Sequence, residues 1–522
     1  MSQPANPPPR PLRSTPRRFL YLTAAVTGAA ILVVEILGAK MLSPYVGSSH
    51  FVWTAQIAVT LISLALGYWF GGWLVDRSPA LHRLYWCIAG AAVYLALSVL
   101  LCQPITYYFL KNVNLALAAF LSSLNLFFIP LTLLAATGPF LIRVLTQSVD
   151  VVGGQVGRLS AISTLGSVGG TVLIGYVLLP FLPNSTTMFL TSATLLVICG
   201  IFFVIVRSAQ RTSALTVWLF SFILTGGFWT AHQTLHNRLL HMNRLYSGNS
   251  NFGEIQVLEL KKSGKRFYLN DFLVQNTYDP KEQASLSLFT YMLRELAWGY
   301  STNLQNALCI GMGIGIVPRE LAREGVQTDV VEINPAIVPV AKNFFDFNPA
   351  AVNITIGDGR FYINKSQKHY DAIILDAFLG DSSPSHLMTR EAFSEMARLL
   401  GQNGVLVINS FGEFRPGRDY FLGSLDKTLH AVFKNVHIHA SGNGNVFFAA
   451  SQRDLDLHLR PNLKFPAESD LQSEFQSATS LAPPPAANAG IVLTDDFNPV
   501  EFYDAANREQ HRRALALSIR DL

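Results

Sequence analysis

Acidic side chains are almost missing from the first half of this chain. Residues 1–245 hold three of them, Glu35, Asp76 and Asp150, against 14 Lys and Arg, a net charge of +11. That excludes an ordinary soluble domain there, because such domains carry about 25% charged residues of both signs. Cysteine is scarce as well. The four present, Cys87, Cys102, Cys199 and Cys309, have no metal-ligand spacing and no pattern of a disulfide framework. Three lie in apolar runs and one in an expected core strand, so they read as small buried hydrophobes, and no metal site is expected. A basic footprint is lacking in the second half, where 25 Lys and Arg face 31 acids, a net of −6. Nucleic acid is therefore not an expected partner.

What fills the first half is apolar sequence. The whole chain is 50% hydrophobic and only 14% charged, with a mean hydropathy of +0.31. Runs of about 20 apolar residues, enough to cross a bilayer, lie near 19–42, 51–75, 84–103, 115–142, 159–182, 186–206 and 214–230. The fourth contains Pro130 and Pro139 and is expected to kink. The seventh is short and holds Gly226-Gly227. The first run is too long for a cleaved signal peptide and lacks a small-residue cleavage site. The lipid bilayer is thus an expected partner, and a multi-pass protein of the cell (inner) membrane is the expected location. Arg10, Arg13, Arg17 and Arg18 in the tail, and pairs such as Arg77 with Arg83 in alternate loops, put the amino terminus in the cytoplasm. Seven spans would carry the second half across to the opposite face. Either the span count is off by one or that half faces outward. Glu35 inside the first span reads as a helix-packing hydrogen bond or as a functional acid. The glycines of 67–72 and 166–175 read as close helix contacts.

The second half changes period. Phe252–Leu260 and Arg266–Leu269 flank Lys262-Ser263-Gly264-Lys265, the pattern of a β-hairpin. A helix is expected over 281–298. Strands at 307–310, 329–333, 352–356, 372–375 and 405–409 then alternate with helices near 315–324, 335–345, 359–365 and 389–400. That alternation predicts a mostly parallel sheet covered on both faces. Two β-runs, 436–440 and 445–450, would close it.

Such sheets bind ligands at the carboxyl ends of their strands, and the informative residues fall there. Gly311, Gly313 and Gly315 form a strand–turn–helix junction in the order G-x-G-x-G. Glu332 ends the next strand, 21 residues beyond Gly311, where a carboxylate can accept from both ribose hydroxyls. Asp358-Gly359 follows the third strand, placed to contact an adenine ring, and Asp376 follows the fourth, facing the reacting atoms. One such acid could be a loop cap. Three at successive strand tips after a glycine turn point to a bound adenosyl cosubstrate.

These residues resemble the polyamine aminopropyltransferases, the spermidine synthase family, in the form fused behind a membrane domain. The resemblance extends to Glu35–Gly38, Gly67–Arg77, Ser163–Gly166, Gly253–Val257, Leu269–Gln275, Asp376–Glu391 and Thr494–Glu501. It implies an α-helical transmembrane bundle of about seven spans followed by an α/β Rossmann-like, methyltransferase-type domain with a small amino-terminal β-hairpin region. The expected divisions are a basic tail (1–18), the helical domain (19–232), the catalytic domain (246–451), a polar Pro-rich loop (452–490) and a carboxyl-terminal segment (491–522). It also implies transfer of an aminopropyl group from decarboxylated S-adenosylmethionine, a cosubstrate rather than a prosthetic group, to a polyamine acceptor such as putrescine. A second copy of the chain is a candidate partner. Asp376 matches the family's base, and Gln275 resembles the residue that holds the amine. Tyr291, Asp381, Asp495 and Asp496 are further candidates for the acceptor.

Three positions depart from the pattern. Ile314 stands where soluble members carry an acid for the transferred group's amine. Phe289 stands near the family's tyrosine, with Tyr291 two residues on. Leu379 replaces a second acid, with Asp381 displaced by two. A methyltransferase on the same fold, and a non-catalytic polyamine- or nucleoside-binding membrane protein, therefore remain alternatives. His386 in the same loop reads as structural or as a partner orienting Asp376 or the acceptor.

Overall fold

The computed structural model describes residues 14–47, 50–146, 152–205, 211–236, 241–250, 252–271, 273–301, 303–378, 384–442, 444–461, 463–467, 469–500 and 507. The chain divides into two compact units, Met1–Arg238 and Leu239–Leu522.

Among the described residues of the first unit, seven helices are long and apolar enough to cross a membrane. They are Arg17–Val46, Val52–Arg77, Leu81–Asn112, Leu115–Leu145, Val152–Phe181, Asn184–Val204 and Leu215–Thr234. The expected kink in the fourth is a break at Ala136, between Leu115–Ala135 and Thr137–Leu145. Pro139 has no N–H to offer the Ala135 carbonyl four residues back, so the ladder is interrupted there. Pro130, in contrast, lies inside the continuous first segment.

Glycines set how closely these helices approach. A Cβ on Gly67 would lie 2.5 Å from the Thr132 carbonyl oxygen, and one on Gly71 2.4 Å from that of Ala136. Gly166 and Gly170 meet the first helix in the same way, at 2.1 Å from Ala25 O and 2.8 Å from Ala29 O. Small residues four apart let two backbones touch. Cys102, Cys199 and Cys309 are buried and Cys87 is half-buried, and all four are free thiols.

The second unit opens with an antiparallel five-stranded sheet rather than one hairpin. Its strands are β1 Met242–Ser250, β2 Gly253–Leu260, β3 Arg266–Asn270, β4 Leu273–Asp279 and β5 Ala284–Ser285, paired in sequence order. The expected turn joins β2 to β3, with Gly264 N–H donating to Leu260 O at 2.8 Å. The helix expected from 281 begins later, at Leu288, and runs to Tyr300. Asp279 Oδ1 accepts from Lys281 N–H at 2.9 Å, and Ser287 Oγ accepts from Thr277 N–H at 3.0 Å. Those local bonds hold 279–287 as a turn and a short strand and so compete with helix.

A seven-stranded sheet follows. Its members are β6 Asn306–Ile310, β7 Gln327–Glu332, β8 Asn353–Ile356, β9 Ala372–Leu375, β10 Val405–Phe411, β11 Asn435–Ala440 and β12 Asn445–Ser451. The spatial order is β11-β12-β10-β9-β6-β7-β8, parallel from β10 to β8 with β12 and β11 antiparallel. Alternate residues feed two apolar layers. Ala307, Cys309 and Ile374 join the layer that includes helix Leu288–Tyr300, while Leu308, Ile310, Ile373 and Leu375 join the layer of helices Arg390–Leu400 and Tyr420–His430. Residues 452–490 are not simply a polar loop. They contain helix Leu471–Ala478, whose Leu471, Phe475 and Ala478 are buried in the first of these layers.

Gly166→Leu should lower the melting temperature of the detergent-solubilised protein, because overpacking a filled contact costs about 1–3 kcal/mol. Gly169→Leu, three residues along the same helix, meets open space and should not. Equal melting points for the two variants would remove the close-contact role assigned to Gly166.

Candidate active site

The order of strands makes the site. From β6 the chain runs outward through β7 to β8, then returns to lay β9 on the other side of β6. At that reversal the connections leave β6 and β9 in opposite directions, opening a crevice at the strands' carboxyl ends. A cavity of about 460 Å3 lies there, lined by Gly311, Gly313, Glu332, Asp358, Gly359 and Asp376 among others. The three carboxylates from successive strand tips therefore share one pocket.

Gly311 is required by crowding at the reversal. It has φ +87°, and a Cβ there would stand 2.2 Å from the Asp376 carbonyl oxygen. Its neighbour ties the turn to the next strand: Met312 N–H donates to Glu332 Oε2 at 2.9 Å. Glu332 Oε1 accepts from Asn334 N–H at 2.8 Å. Burial raises the Glu332 pKa above the usual glutamate value, and these backbone N–H groups oppose the rise. Each oxygen keeps a lone pair, since a carboxylate can accept about four hydrogen bonds. Gly315, at φ +80°, lies against the Phe347 ring and caps helix Ile316–Arg323. It does not line the cavity; its part is to turn the chain.

Asp376 follows β9 directly. Burial pushes its pKa up to about 6. The Asn409 amide, donating to Oδ1 at 2.9 Å, opposes that rise, and the nearby Glu332 charge adds to it. Asn409 is itself fixed by Asn445, whose Nδ2 donates to Asn409 Oδ1 at 3.0 Å. Among the described residues, the second Asp376 oxygen has no hydrogen-bond partner. Asp358 has two partners. Its Oδ1 caps helix Gly359–Lys365 through Phe361 N–H at 2.9 Å, and its Oδ2 lies 3.0 Å from His386 Nε2. His386 thus pairs with Asp358 rather than with Asp376.

The amine-binding candidates separate. Gln275 lines the cavity, with Phe289 and the turn Ser287–Thr290. Tyr291 does not. It is buried, its hydroxyl donates to Ser285 O at 2.9 Å, and its ring packs on Phe465. Two residues along a helix turn a side chain away from the face Phe289 occupies. Ile314 is likewise in the apolar core and not on the cavity wall. Asp381 and Leu379 lie outside the described residues. Asp495 and Asp496 do not line the main cavity. Asp496 is exposed. Asp495 forms a clamp: Arg360 Nη2 donates to its Oδ2 at 2.8 Å, Thr389 Oγ1 to its Oδ1 at 2.6 Å, and its own N–H donates to Glu391 Oε2 at 3.0 Å. Arg360 Nη1 also reaches His386 O at 3.0 Å. The carboxyl-terminal motif thereby fastens the 384–389 segment that presents His386 and Leu387 to the cavity.

Sequence reasoning missed Asn409, Asn334, Tyr268 and Glu474, all on the cavity wall. Asn409 could have been found, because it occupies the strand tip after that of Asp376. Glu474 comes from a region whose composition reads as loop. Among the described residues the lining includes Glu332, Asp358, Asp376 and Glu474 but no Lys or Arg. No group of His, Cys, Asp and Glu suited to a metal occurs among the described residues.

Comparison with known proteins gives a consistent picture. Residues 287–441 match the spermine/spermidine synthase domain. A polyamine aminopropyltransferase of Vibrio vulnificus (strain CMCP6) is 44% identical over 114 residues, 20% of this chain and 38% of that protein. An N-terminal histidine N-methyltransferase of Emericella nidulans is 33% identical over 138 residues, 26% of this chain and 24% of its own. A polyamine aminopropyltransferase of Alkaliphilus oremlandii (strain OhILAs) is 29% identical over 251 residues, 46% of this chain and 83% of its own. The chain thus spans well under half the length of the first two relatives and most of the third.

Breaking the clamp should loosen the wall it holds. Asp495→Asn should speed amide hydrogen exchange at Leu387 and Met388 by a few-fold. A half-exposed pair is worth at most about 1 kcal/mol. Unchanged exchange there, measured by mass spectrometry on the full-length protein, would show that the segment is held by other contacts.

Proposed function

We propose that this chain, which belongs to the spermidine synthase family, transfers an aminopropyl group from decarboxylated S-adenosylmethionine to an amine acceptor, with putrescine as the reference acceptor. The observation that carries this reading is the cavity, with acids at three consecutive strand tips and no Lys or Arg among its described lining residues. A cosubstrate that has lost its carboxylate is wholly cationic, and so is a protonated polyamine. An intact amino-acid carboxylate would find no counter-charge from a basic side chain there.

The chemistry follows from charge. The sulfonium makes the adjacent methylene electrophilic. The acceptor nitrogen attacks it, a C–N bond forms, and the C–S electron pair returns to sulfur as neutral methylthioadenosine leaves. An alkylamine with a pKa near ~10 must give up a proton in the course of this. Asp376, with its unpartnered oxygen, accepts it as general base. Glu332 holds the ribose and Asp358 the adenine end, with the bond to His386 fixing the Asp358 carboxylate. Gln275 assists the acceptor.

Two observations favour a methyltransferase reading. An N-methyltransferase is among the relatives, and Ile314 offers no carboxylate to an aminopropyl ammonium. Purified protein given putrescine with each cosubstrate separates the two: aminopropylated product supports the first reading, and methylated product with intact S-adenosylmethionine alone sinks it.

We further read the seven apolar helices as membrane spans, with the amino terminus in the cytoplasm and the protein anchored in the cell (inner) membrane. An odd number then carries the catalytic unit to the opposite face. Alkaline phosphatase fused to the carboxyl terminus should be active outside the cytoplasm. An inactive fusion would mean that one helix does not cross, and Leu215–Thr234, at a mean hydropathy of 1.2, is the weakest.

Asp376→Asn should reduce turnover at least ~100-fold, the usual worth of a general base, with methylthioadenosine affinity nearly kept. Glu332→Gln should instead weaken that affinity. In the wild type, activity should fall as pH drops through about 6, because the raised Asp376 pKa leaves the base protonated below that value. Equal losses of affinity in both variants, or an acid limb near the ordinary aspartate value, would contradict these roles.

A further inference from the structure

Two amides stand in line behind Asp376. Asn409 lies on β10 and Asn445 opens β12. In the antiparallel register of these strands Asn409 is opposite Phe447, and Asn445 is opposite Phe411. The two asparagines are therefore diagonal neighbours on one face of the sheet, within side-chain reach. Asn445 Nδ2 donates to Asn409 Oδ1 at 3.0 Å, and Asn409 Nδ2 donates to Asp376 Oδ1 at 2.9 Å. Both asparagines are buried, at 3% and 9% exposed, where a polar group is costly unless it is hydrogen-bonded.

The line has a direction. An asparagine amide has one accepting end and one donating end. Turned by half a rotation, Asn409 would aim its carbonyl oxygen at the Asp376 carboxylate. The Asn445 N–H holds that oxygen on the other side and leaves the Asn409 N–H to face Asp376. Oδ1 of Asp376 is thereby occupied by a donor. Among the described residues Oδ2 has no hydrogen-bond partner, so it is the oxygen open to a proton. A donor on Oδ1 also favours the ionised carboxylate. Burial and the Glu332 charge, which reaches Asp376 from β7, act the other way.

The other titratable groups near this line are accounted for. Cys309 on β6 is buried, and burial and the Asp376 charge push its thiol pKa up, so it stays neutral. Asp358 is paired with His386. Helix Leu288–Tyr300, which packs on β10 and β12, brings Tyr291, Arg294, Glu295 and Tyr300. Tyr291 donates to Ser285 O, Glu295 pairs with Arg294 and Arg460, and the Tyr300 hydroxyl bonds to His437 and His439 of β11.

We propose that Asn445 is a positioning residue for proton transfer: by holding the Asn409 oxygen it keeps the Asn409 N–H on Oδ1 of Asp376 and leaves Oδ2 to take the proton of the attacking amine. This rests on Asp376 as the general base of aminopropyl transfer. Asn445 acts through Asn409, and the residue it serves is two hydrogen bonds away.

The test is the pH dependence of kcat at saturating putrescine, using the full-length protein in detergent with decarboxylated S-adenosylmethionine. Without its tether the Asn409 donor is weakened, more of Asp376 is protonated at a given pH, and the acid limb moves upward. Asn445→Ala should raise that limb by roughly half to one pH unit, the usual worth of one hydrogen bond. Asn409→Ala should raise it at least as far. The double variant should match Asn409→Ala alone, because a residue that acts through another has nothing left to act on. Asn445→Ser keeps a donor and should shift the limb less; it reads the same role if the alanine variant does not fold. A limb that neither Asn445 variant moves, or a shift that Asn445→Ala adds on top of Asn409→Ala, overturns the inference and leaves aminopropyl transfer standing. Wild-type protein that yields no aminopropylated product overturns the transfer reading, and the inference with it.

Discussion

Glu332 and Asp376 line one cavity, and burial raises the pKa of each carboxyl group. Backbone N–H groups of Met312 and Asn334 stabilise the Glu332 carboxylate, and the Asn409 amide gives Asp376 a single donor. The imbalance separates their roles. Glu332 has both oxygens bonded to backbone N–H groups. Asp376, with one oxygen unpartnered among the described residues and a pKa lifted to about 6, can gain and lose a proton near neutral pH.

The geometry that brings the two together belongs to the sheet. Glu332 ends β7 and Asp376 follows β9, the strands on either side of β6. The Gly311 turn closes the gap, since a side chain there would collide with the Asp376 backbone. Asn409 comes from β10, on the far side of β9. Four neighbouring strands each contribute a residue at their tips, and each residue's position is fixed by a register that apolar side chains on both faces enforce. Precision at the site is thus a consequence of the core, which is why the reactive groups sit on strand ends and not within long loops.

Much of this could be read from the sequence because it depends on local pattern. The change from ~20-residue apolar runs to short strands separated the two halves. The glycine turn and the acids at strand tips depend only on where strands end, and those ends were marked by Asp, Glu and Gly. What escaped depended on tertiary placement. Tyr291 and Phe289 differ by two positions on one helix, and only the packing decides which faces the cavity. The Asp495 clamp joins residues more than a hundred positions apart, and no local pattern announces such a pairing. Helix Leu471–Ala478 was hidden by its polar composition, because three buried positions suffice to hold it on a prepared apolar surface.

The departure at Ile314 does not reach the cavity wall. Ile314 is in the apolar core, so its substitution removes an acid from the glycine turn without adding bulk to the cavity wall. Glu474 joins the cavity wall from outside the matched domain, carried by a segment pinned to helix Leu288–Tyr300 through Arg460 and Phe465. An acid on an added segment can shift with that segment while the strand-tip acids stay fixed by the sheet.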